Sequence, residues 1–234
     1  MRLLLVGLAA LLGCRAASGE PRTAEAPLVI ELFTSQGCSS CPAADALLDR
    51  LARDGTVGGR PVAPLAFHVD YWDDLGWADP FALPAWTERQ HGYARALGDQ
   101  RVYTPELVVG GRAGMVGSNT QRVIRAIADA PHQIPIAASA TWSKTSVTVE
   151  AKAPAGADVF VAIWQDATRT KVPNGENAGR TLAGDRVVRR LEHVASAGAS
   201  GTQVIRIDPA WGTVGAVAFA QKPDRSIIGA TLLR

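Results

Sequence analysis

The sequence predicts an α/β domain followed by an all-β, sandwich-like domain. In the first half, apolar runs that suit buried strands alternate with segments of helical periodicity, which is typical of parallel sheets covered by helices. From Ile134 onwards, alternating polar and apolar residues and frequent turn residues replace helical spacing. We therefore expect an α/β domain over residues 27–133 and a β-sandwich-like domain over residues 134–234.

The first half begins with a strand that leads directly into a helix. Leu28–Phe33 is apolar apart from Glu31, as expected of a strand buried on both faces, and Thr34–Gly37 forms the turn. Pro42 falls in the first turn of the predicted helix, where a missing N–H costs little. The helix continues with apolar residues at helical spacing, namely Ala43, Ala44, Leu47, Leu48 and Leu51.

Two cysteines, Cys38 and Cys41, lie at the joint between this strand and this helix. Free N–H groups and the helix dipole stabilise an anion there, so the pKa of the Cys38 thiol is expected to fall from about 8.5 into the range of roughly 3.5 to 7.5. Cys41 lies one turn further on and can resolve a mixed disulfide. A structural disulfide remains an alternative, as does half of a zinc site, although no second ligand pair is visible.

Further strands and helices follow up to residue 131. Val62–Val69 is predicted to pair in parallel with the first strand, which brings the residues after it to the edge that holds the cysteines. The later elements are a helix starting near Asp79 and Pro80 with its pattern over Trp86–Leu97, a hairpin of Glu106–Val109 and Ala113–Val116, and a helix from Asn119 to Asp129.

Polar and aromatic residues after the second strand are candidates for the wall of the site. Asp70, Tyr71 and Trp72 follow this strand directly, and we predict that they contact a substrate. Trp77 extends the aromatic set, and the alternative is that Tyr71, Trp72, Trp77 and Phe81 merely pack a loop. For His68 the favoured interpretation is a strand-end histidine whose hydrogen bonds are satisfied within the fold.

The element order, the Cys-X-X-Cys at the first helix and the Thr-Pro before the third strand resemble the thioredoxin-like fold over residues 27–131. This resemblance implies that Pro105 is cis and faces the disulfide, and that the backbone of Thr104 is an edge to which an extended substrate chain adds. It also implies catalytic roles for Cys38 and Cys41. Ser39 and Ser40 stand where thioredoxin has Gly-Pro, so whether the protein reduces or oxidises its partners stays open.

A closer resemblance covers nearly the whole chain after residue 27. ELFTSQGCSSCP, FHVDYWDDLGW, VYTPELVVGG and GENAGRTL are similar to segments of DUF1223, a family of exported bacterial proteins assigned a thioredoxin-like fold. That family has no assigned reaction, so the resemblance implies a fold rather than an activity.

Glu31 is an acid in an otherwise apolar strand. Thioredoxins carry a buried Asp behind the second cysteine, and Glu31 is the nearest acid here. A buried carboxylate without a partner is costly. Glu31 is therefore protonated, paired, or a base for Cys41.

The N-terminus has the pattern of an export signal. Residues 1–13 contain one Arg and then an apolar run too short to span a bilayer, and residues 14–26 form a linker. Leu11–Cys14 resembles a lipoprotein cleavage box, with Cys14 as the lipidated residue, while ordinary cleavage near Ala16 or Ala17 is the alternative. Both routes place the protein in the periplasm or cell envelope, and Cys14 would be its only membrane anchor.

The second half is predicted to consist of strands. Ser146–Ala153, Asp158–Gln165, Gln203–Ile207, Val214–Gln221 and Ile227–Leu233 have strand patterns, and Arg186–Val194 suits a strand or a helix. A polar loop, KVPNGENAGRTLAGDR, lies between two strands, and we interpret it as a connector rather than a segment that reaches the cysteines. Its Glu176, Asn177 and Arg180 are the residues to test for substrate binding.

Together these features predict an exported thiol:disulfide oxidoreductase without a cofactor. Its partners would be disulfide-containing or thiol proteins of the cell envelope and a redox donor protein. The net charge of +2, with 24 basic and 22 acidic residues and no basic run, does not indicate nucleic acid. The alternatives are a non-enzymatic binding module with a structural disulfide, and a carrier of a soft metal such as copper.

Overall fold

The computed structural model describes residues 25–233, a mixed α/β fold that is mostly sheet. Its helices are α1 (Pro42–Asp54), α2 (Pro84–Leu97) and α3 (Thr120–Asp129). Its strands are β1 (Leu28–Thr34), β2 (Thr56–Val57), β3 (Arg60–His68), β4 (Glu106–Val109), β5 (Ala113–Val116), β6 (Ala138–Trp142), β7 (Ser146–Lys152), β8 (Asp158–Gln165), β9 (Thr168–Lys171), β10 (Thr181–Gly184), β11 (Val187–Ala195), β12 (Ser200–Arg206), β13 (Val214–Gln221) and β14 (Ile227–Leu233). The predicted signal, Cys14 and nearly all of the linker lie outside the described residues.

One large sheet runs through both halves of the chain. Its strand order is β14-β13-β8-β11-β3-β1-β4-β5, with β2 paired to β3. β1 is parallel to β3, as the sequence predicts, and antiparallel to β4. β11 joins the second half to β3 in parallel, with Val187 beside Ala66. The sequence changes from helical spacing to alternating residues at Ile134, but this point does not separate two independent sheets.

Three hydrophobic cores cover the two faces of this sheet. α1 and α3 pack on one face of the first half, and a separate three-stranded sheet, β12-β7-β6, packs on the second half. The opposite face is covered by α2, whose Trp86 and Tyr93 share a core with residues of both halves, such as Phe67 and Phe219. After residue 134 the chain thus contributes to two packed β layers, and one of these layers continues the first sheet.

Several boundaries differ from those predicted. α1 starts at Pro42 with Cys41 as its N-cap, so Cys38 lies in the turn before the helix. Pro42 lacks an N–H and fixes φ, which suits the first helical position. α2 likewise starts at Pro84 rather than near Asp79. The ambiguous segment after Arg186 is a strand, because β8 and β3 pair with it on its two sides.

A buried ion pair links α2 to the sheet. Arg89 donates from Nε to Glu31 Oε1 at 2.6 Å, and Tyr93 donates its hydroxyl to the other Glu31 oxygen. Gln221 of β13 accepts from Arg89 at 3.3 Å and donates to the Tyr93 hydroxyl at 2.9 Å. Burial would lower the pKa of Arg89, but the Glu31 carboxylate and the hydrogen bonds to Glu31 and Tyr93 outweigh burial and raise that pKa. The network connects one helix with strands of both halves.

Removal of one partner from this pair should destabilise the fold strongly. Arg89→Met leaves the Glu31 carboxylate buried without its cation, and we expect the free energy of unfolding to fall by about 3–5 kcal/mol. Urea denaturation at pH 7 measures this loss. Arg95→Met, an exposed arginine of the same helix, is the matched control. The double variant Glu31→Leu/Arg89→Met should recover part of the lost stability, because it removes the unpaired carboxylate. If Arg89→Met alone were within about 1 kcal/mol of wild type, the buried Glu31–Arg89 ion pair would be contradicted.

Candidate functional site

Cys38 and Cys41 are disulfide-bonded at the start of α1. Their Cα atoms are 5.5 Å apart. The turn that holds them is closed by backbone bonds from Cys38 N to Ser35 O at 3.2 Å and from Cys41 N to Cys38 O at 3.3 Å. Ser40 Oγ lies 3.3 Å from Cys38 Sγ. Both cysteines are 0% exposed, although Ser39 and Ser40 between them are exposed.

Trp72 connects the cysteine turn with the turn before β4. Its Nε1 donates to Thr104 Oγ1 at 2.8 Å. A Cβ on Gly37, the residue before Cys38, would lie 3.1 Å from Trp72 Cβ and 3.5 Å from Trp72 O, so Trp72 lies close against a position that only glycine fits without a shift. The Thr104–Pro105 bond is cis, as the resemblance implies, and Pro105 is buried. Trp72, Thr104 and the cysteine turn therefore lie together at one edge of the sheet.

The other predicted wall residues have different contacts. Tyr71 is partly exposed and donates to Gln90 Oε1 at 3.2 Å, and Asp70 accepts from Thr87 Oγ1 at 2.5 Å. Both of these bonds run to α2, and so they hold the loop after β3 in place. Trp77 donates to Gln36 Oε1 at 3.4 Å and thus lies beside the cysteine turn.

Glu31 does not act on Cys41. Strand residues alternate between faces, and Glu31 shares its face with Val29 and Phe33, which pack in the α2 core. α1 packs on the opposite face of the sheet, against Ile30 and Leu32. Of the alternatives that the sequence leaves open for Glu31, the structure shows an ion pair, with Arg89 as the partner. A role as a base for Cys41 does not fit, because the sheet lies between the Glu31 carboxylate and α1.

A loop from the second half covers the cysteine turn. Residues 172–180, here called the covering loop, connect β9 and β10. Asn177 donates from Nδ2 to the carbonyl oxygens of Gln36 and Cys38, each at 2.9 Å. Glu176 Oε2 accepts from Ser39 N at 2.9 Å, and hydrogen bonding from the side chain and then the backbone of Ser39 lowers the pKa of Glu176. The interpretation of this segment as a mere connector is wrong.

A buried pair of His68 and Asp79 lies behind the same turn. His68 Nδ1 and Asp79 Oδ2 are 2.7 Å apart, and the same Asp79 oxygen accepts from Gln36 N at 2.7 Å. Burial favours the neutral forms, but each partner's charge outweighs burial, so the pKa of His68 is raised and that of Asp79 is lowered. His68 is thus a strand-end histidine with a satisfied partner.

Asp45 is a titratable group that the sequence analysis did not single out. It lies four residues after Cys41 in α1, which places both on one side of the helix. It accepts from Thr34 Oγ1 at 2.7 Å and lines a cavity of about 20 Å³ together with His68, Gln36 and Thr168. Burial raises the pKa of Asp45 to about 6. The four-residue spacing between Cys41 and Asp45 is the feature of the sequence that could have identified Asp45 as a neighbour of the cysteine pair.

Two further findings concern the described part of the chain. Residues 25–233 contain no cluster of three or more His, Cys, Asp and Glu side chains suited to holding a metal ion. None of the helices within this range has the length and hydrophobicity that crossing a bilayer requires.

The ionisation of Asp45 should make stability depend on pH. Its pKa is raised from 3.8 to about 6, so its contribution to stability is lost as pH rises from about 4 to about 6. Asp45→Asn removes this charge, and we expect it to be more stable than wild type by about 2 kcal/mol at pH 7.5 but not at pH 4. Urea denaturation at both pH values measures the difference. Asp74→Asn, at an exposed carboxylate, is the control, and an equal effect at both pH values would refute this assignment.

Comparisons with known proteins agree with this architecture. No curated protein matches the chain. Among solved structures, the fold is similar to a crystal structure of a protein from Agrobacterium tumefaciens that was a structural genomics target. The two share 29% sequence identity with a TM-score of 0.66, over 89% of this chain and 95% of that chain. The family model described as "Protein of unknown function (DUF1223)" matches residues 29–221, and the chain therefore belongs to this family.

Proposed function

We propose that this protein is a thiol:disulfide oxidoreductase built on a thioredoxin-like domain of residues 27–133. The observation that carries the proposal is the Cys38–Cys41 disulfide directly before α1, at the edge where Trp72 reaches Thr104. The sheet order β3-β1-β4-β5, with β1 parallel to β3 and antiparallel to β4, supports the thioredoxin-like assignment. Residues 134–234 would then be a β-sandwich-like addition that shares this sheet.

The proposed reaction transfers two electrons from the reduced protein to a partner disulfide. The Cys38 thiolate attacks one partner sulfur, which forms a mixed disulfide and releases the other partner sulfur as a thiolate. The Cys41 thiolate then attacks Cys38 Sγ, closes the Cys38–Cys41 disulfide and releases the reduced partner. A dithiol redox donor protein returns the two electrons for the next cycle. With an oxidised starting state, the same steps run in reverse.

The partners and compartment follow from this chemistry. Disulfides persist in oxidising compartments outside the cytosol. We therefore propose an exported protein of the periplasm or cell envelope that exchanges disulfides with envelope proteins. Thr104 and the exposed serines 39 and 40 would contact the partner chain.

The burial of both sulfurs favours a second candidate. At 0% exposure, the disulfide could be purely structural in a binding module whose aromatic residues, Tyr71, Trp72 and Trp77, hold a ligand. Structural disulfides in secreted proteins resist reduction more strongly than those of exchange proteins. The two candidates therefore differ in a measurable potential.

The reduction potential of the Cys38–Cys41 pair should lie in the range of exchange proteins, between about −120 and −270 mV. Equilibration of the full chain with glutathione buffers, followed by alkylation and mass measurement, determines the value. A potential below about −300 mV would instead support the structural disulfide.

Loss of the resolving cysteine should trap partners. In a Cys41→Ser variant the mixed disulfide at Cys38 has no thiol to resolve it, so adducts should accumulate in envelopes of a bacterium that exports the chain. Non-reducing electrophoresis and mass mapping to Cys38 detect them. A Cys38→Ser variant leaves no attacking thiol at that position and should form no adduct there, and an absence of Cys38 adducts in the first variant would contradict exchange.

A further inference from the structure

The covering loop is held on the cysteine turn by specific bonds rather than by general packing. Asn177 is 1% exposed, and its single amide nitrogen satisfies two carbonyls, those of Gln36 and Cys38. Arg180 Nη1 donates to Asn177 Oδ1 at 2.7 Å, which fixes the orientation of the amide. Glu176 adds a bond to Ser39 N. Residues 36, 38 and 39 thus each bond to the loop through their backbones.

Gly175 gives the loop a second close contact. A Cβ at this position would lie 3.2 Å from Trp77 Cβ, and a Cβ on Gly76 would lie 3.3 Å from Gly175 Cα. The loop and the turn before Trp77 therefore pack backbone against backbone. The covering loop is thus fixed at two places, on the cysteine turn by Asn177 and on the Gly76–Trp77 turn by Gly175.

Closure of this kind is incompatible with exchange, because a thiolate has to approach a sulfur directly along the disulfide bond. Cys38 is 0% exposed in the closed arrangement. An attacking group can reach it only after some neighbouring segment moves. The β9–β10 hairpin is the segment suited to move, since it forms its own two-stranded sheet and is not paired to the large sheet.

We propose that the covering loop is a lid that controls access to the Cys38–Cys41 disulfide, with Asn177 as its latch. The inference rests on the proposed exchange function. A partner polypeptide that opens the lid has to replace its bonds, with N–H donors for the carbonyls of Gln36 and Cys38 and an acceptor for Ser39 N. The lid therefore selects protein partners that supply these groups over small thiols that cannot.

Reduction of the oxidised full chain by dithiothreitol tests the latch. Asn177→Ala removes both hydrogen bonds from the loop amide to the cysteine turn, together with the Arg180 bond that orients this amide, and we expect disulfide reduction to be about 10-fold faster than in wild type. Asn174→Ala, at an exposed asparagine of the same loop, should leave the rate within about 2-fold. Alkylation at timed intervals and mass measurement give the rates. An Asn177→Ala rate within about 2-fold of wild type would overturn the proposal.

A second pair of variants decides the question if Asn177→Ala does not fold. Gly175 and Gly179 have φ values of 77° and 82°, so alanine is strained at both. Only at position 175 would the new methyl group meet Trp77, since nothing lies within 4 Å of a Cβ at position 179. Gly175→Ala should accelerate reduction several-fold more than Gly179→Ala, and equal rates would count against the lid.

Arg89→Met separates lid opening from general destabilisation. This variant is expected to lower global stability without touching the covering loop. If reduction requires global unfolding, Arg89→Met will accelerate it more than Asn177→Ala does, and the lid is refuted. If the lid opens locally, Asn177→Ala will be the faster of the two.

The failure of the lid and the failure of the proposed function give different results. Chemical reduction requires no partner protein, so the lid can be demonstrated even if Cys41→Ser traps nothing. Faster reduction of Asn177→Ala together with no trapped adducts would therefore support the lid but contradict the exchange function. Trapped adducts with an unchanged Asn177→Ala rate would instead support exchange and refute the lid.

Discussion

One parallel pairing, Val187 of β11 beside Ala66 of β3, determines how the two halves of this chain meet. Ala66 N donates to Arg186 O at 2.9 Å at the same point. Because the strands are parallel, β11 begins where β3 is ending, and the end of β3 lies at the edge that holds the cysteines. The β9–β10 hairpin directly precedes β11, so it must emerge at this edge. The position of the covering loop is thus a consequence of strand pairing.

The buried ion pair reinforces the same junction from the other face of the sheet. Glu31 belongs to β1, Arg89 to α2 and Gln221 to β13, so the network joins the first half to the second through α2. The Arg89 guanidinium also lies about 5.5 Å from the ring centroids of Phe67 and Phe219, which belong to different halves. A charge buried among these rings tolerates little displacement, because its loss of partners would be costly. Relative motion of the two halves is therefore restricted, and the proposed opening of the site would involve the β9–β10 hairpin rather than a movement of one half against the other.

Local patterns predicted the elements but not their long-range partners. The apolar run of β1, the periodicity of α1 and the cap at Asn119 are encoded by neighbouring residues and were found. Contacts such as Asn177 with Cys38 join residues 139 positions apart, and no local pattern specifies them. Arg89 was overlooked because a charged residue does not contribute to an apolar pattern. Its spacing from Trp86 and Tyr93 nevertheless places it on their buried face, which was the available signal.

The backbone carbonyl groups of the cysteine turn need hydrogen-bond donors whether the covering loop is closed or open. Buried carbonyl groups need donors, and in the closed state Asn177 provides one for both Gln36 and Cys38. With the loop open, the Gln36 oxygen is left to water or to a bound chain, and the Cys38 oxygen keeps its bond from Cys41 N but loses the one from Asn177. A chain that approaches in extended form brings regularly spaced N–H groups, whereas a small thiol brings few donors. In the proposed lid mechanism, access to the sulfurs would therefore be easiest for a partner that repeats the loop's own hydrogen bonds, and the selectivity for such partners would have the same physical origin as the burial of the disulfide.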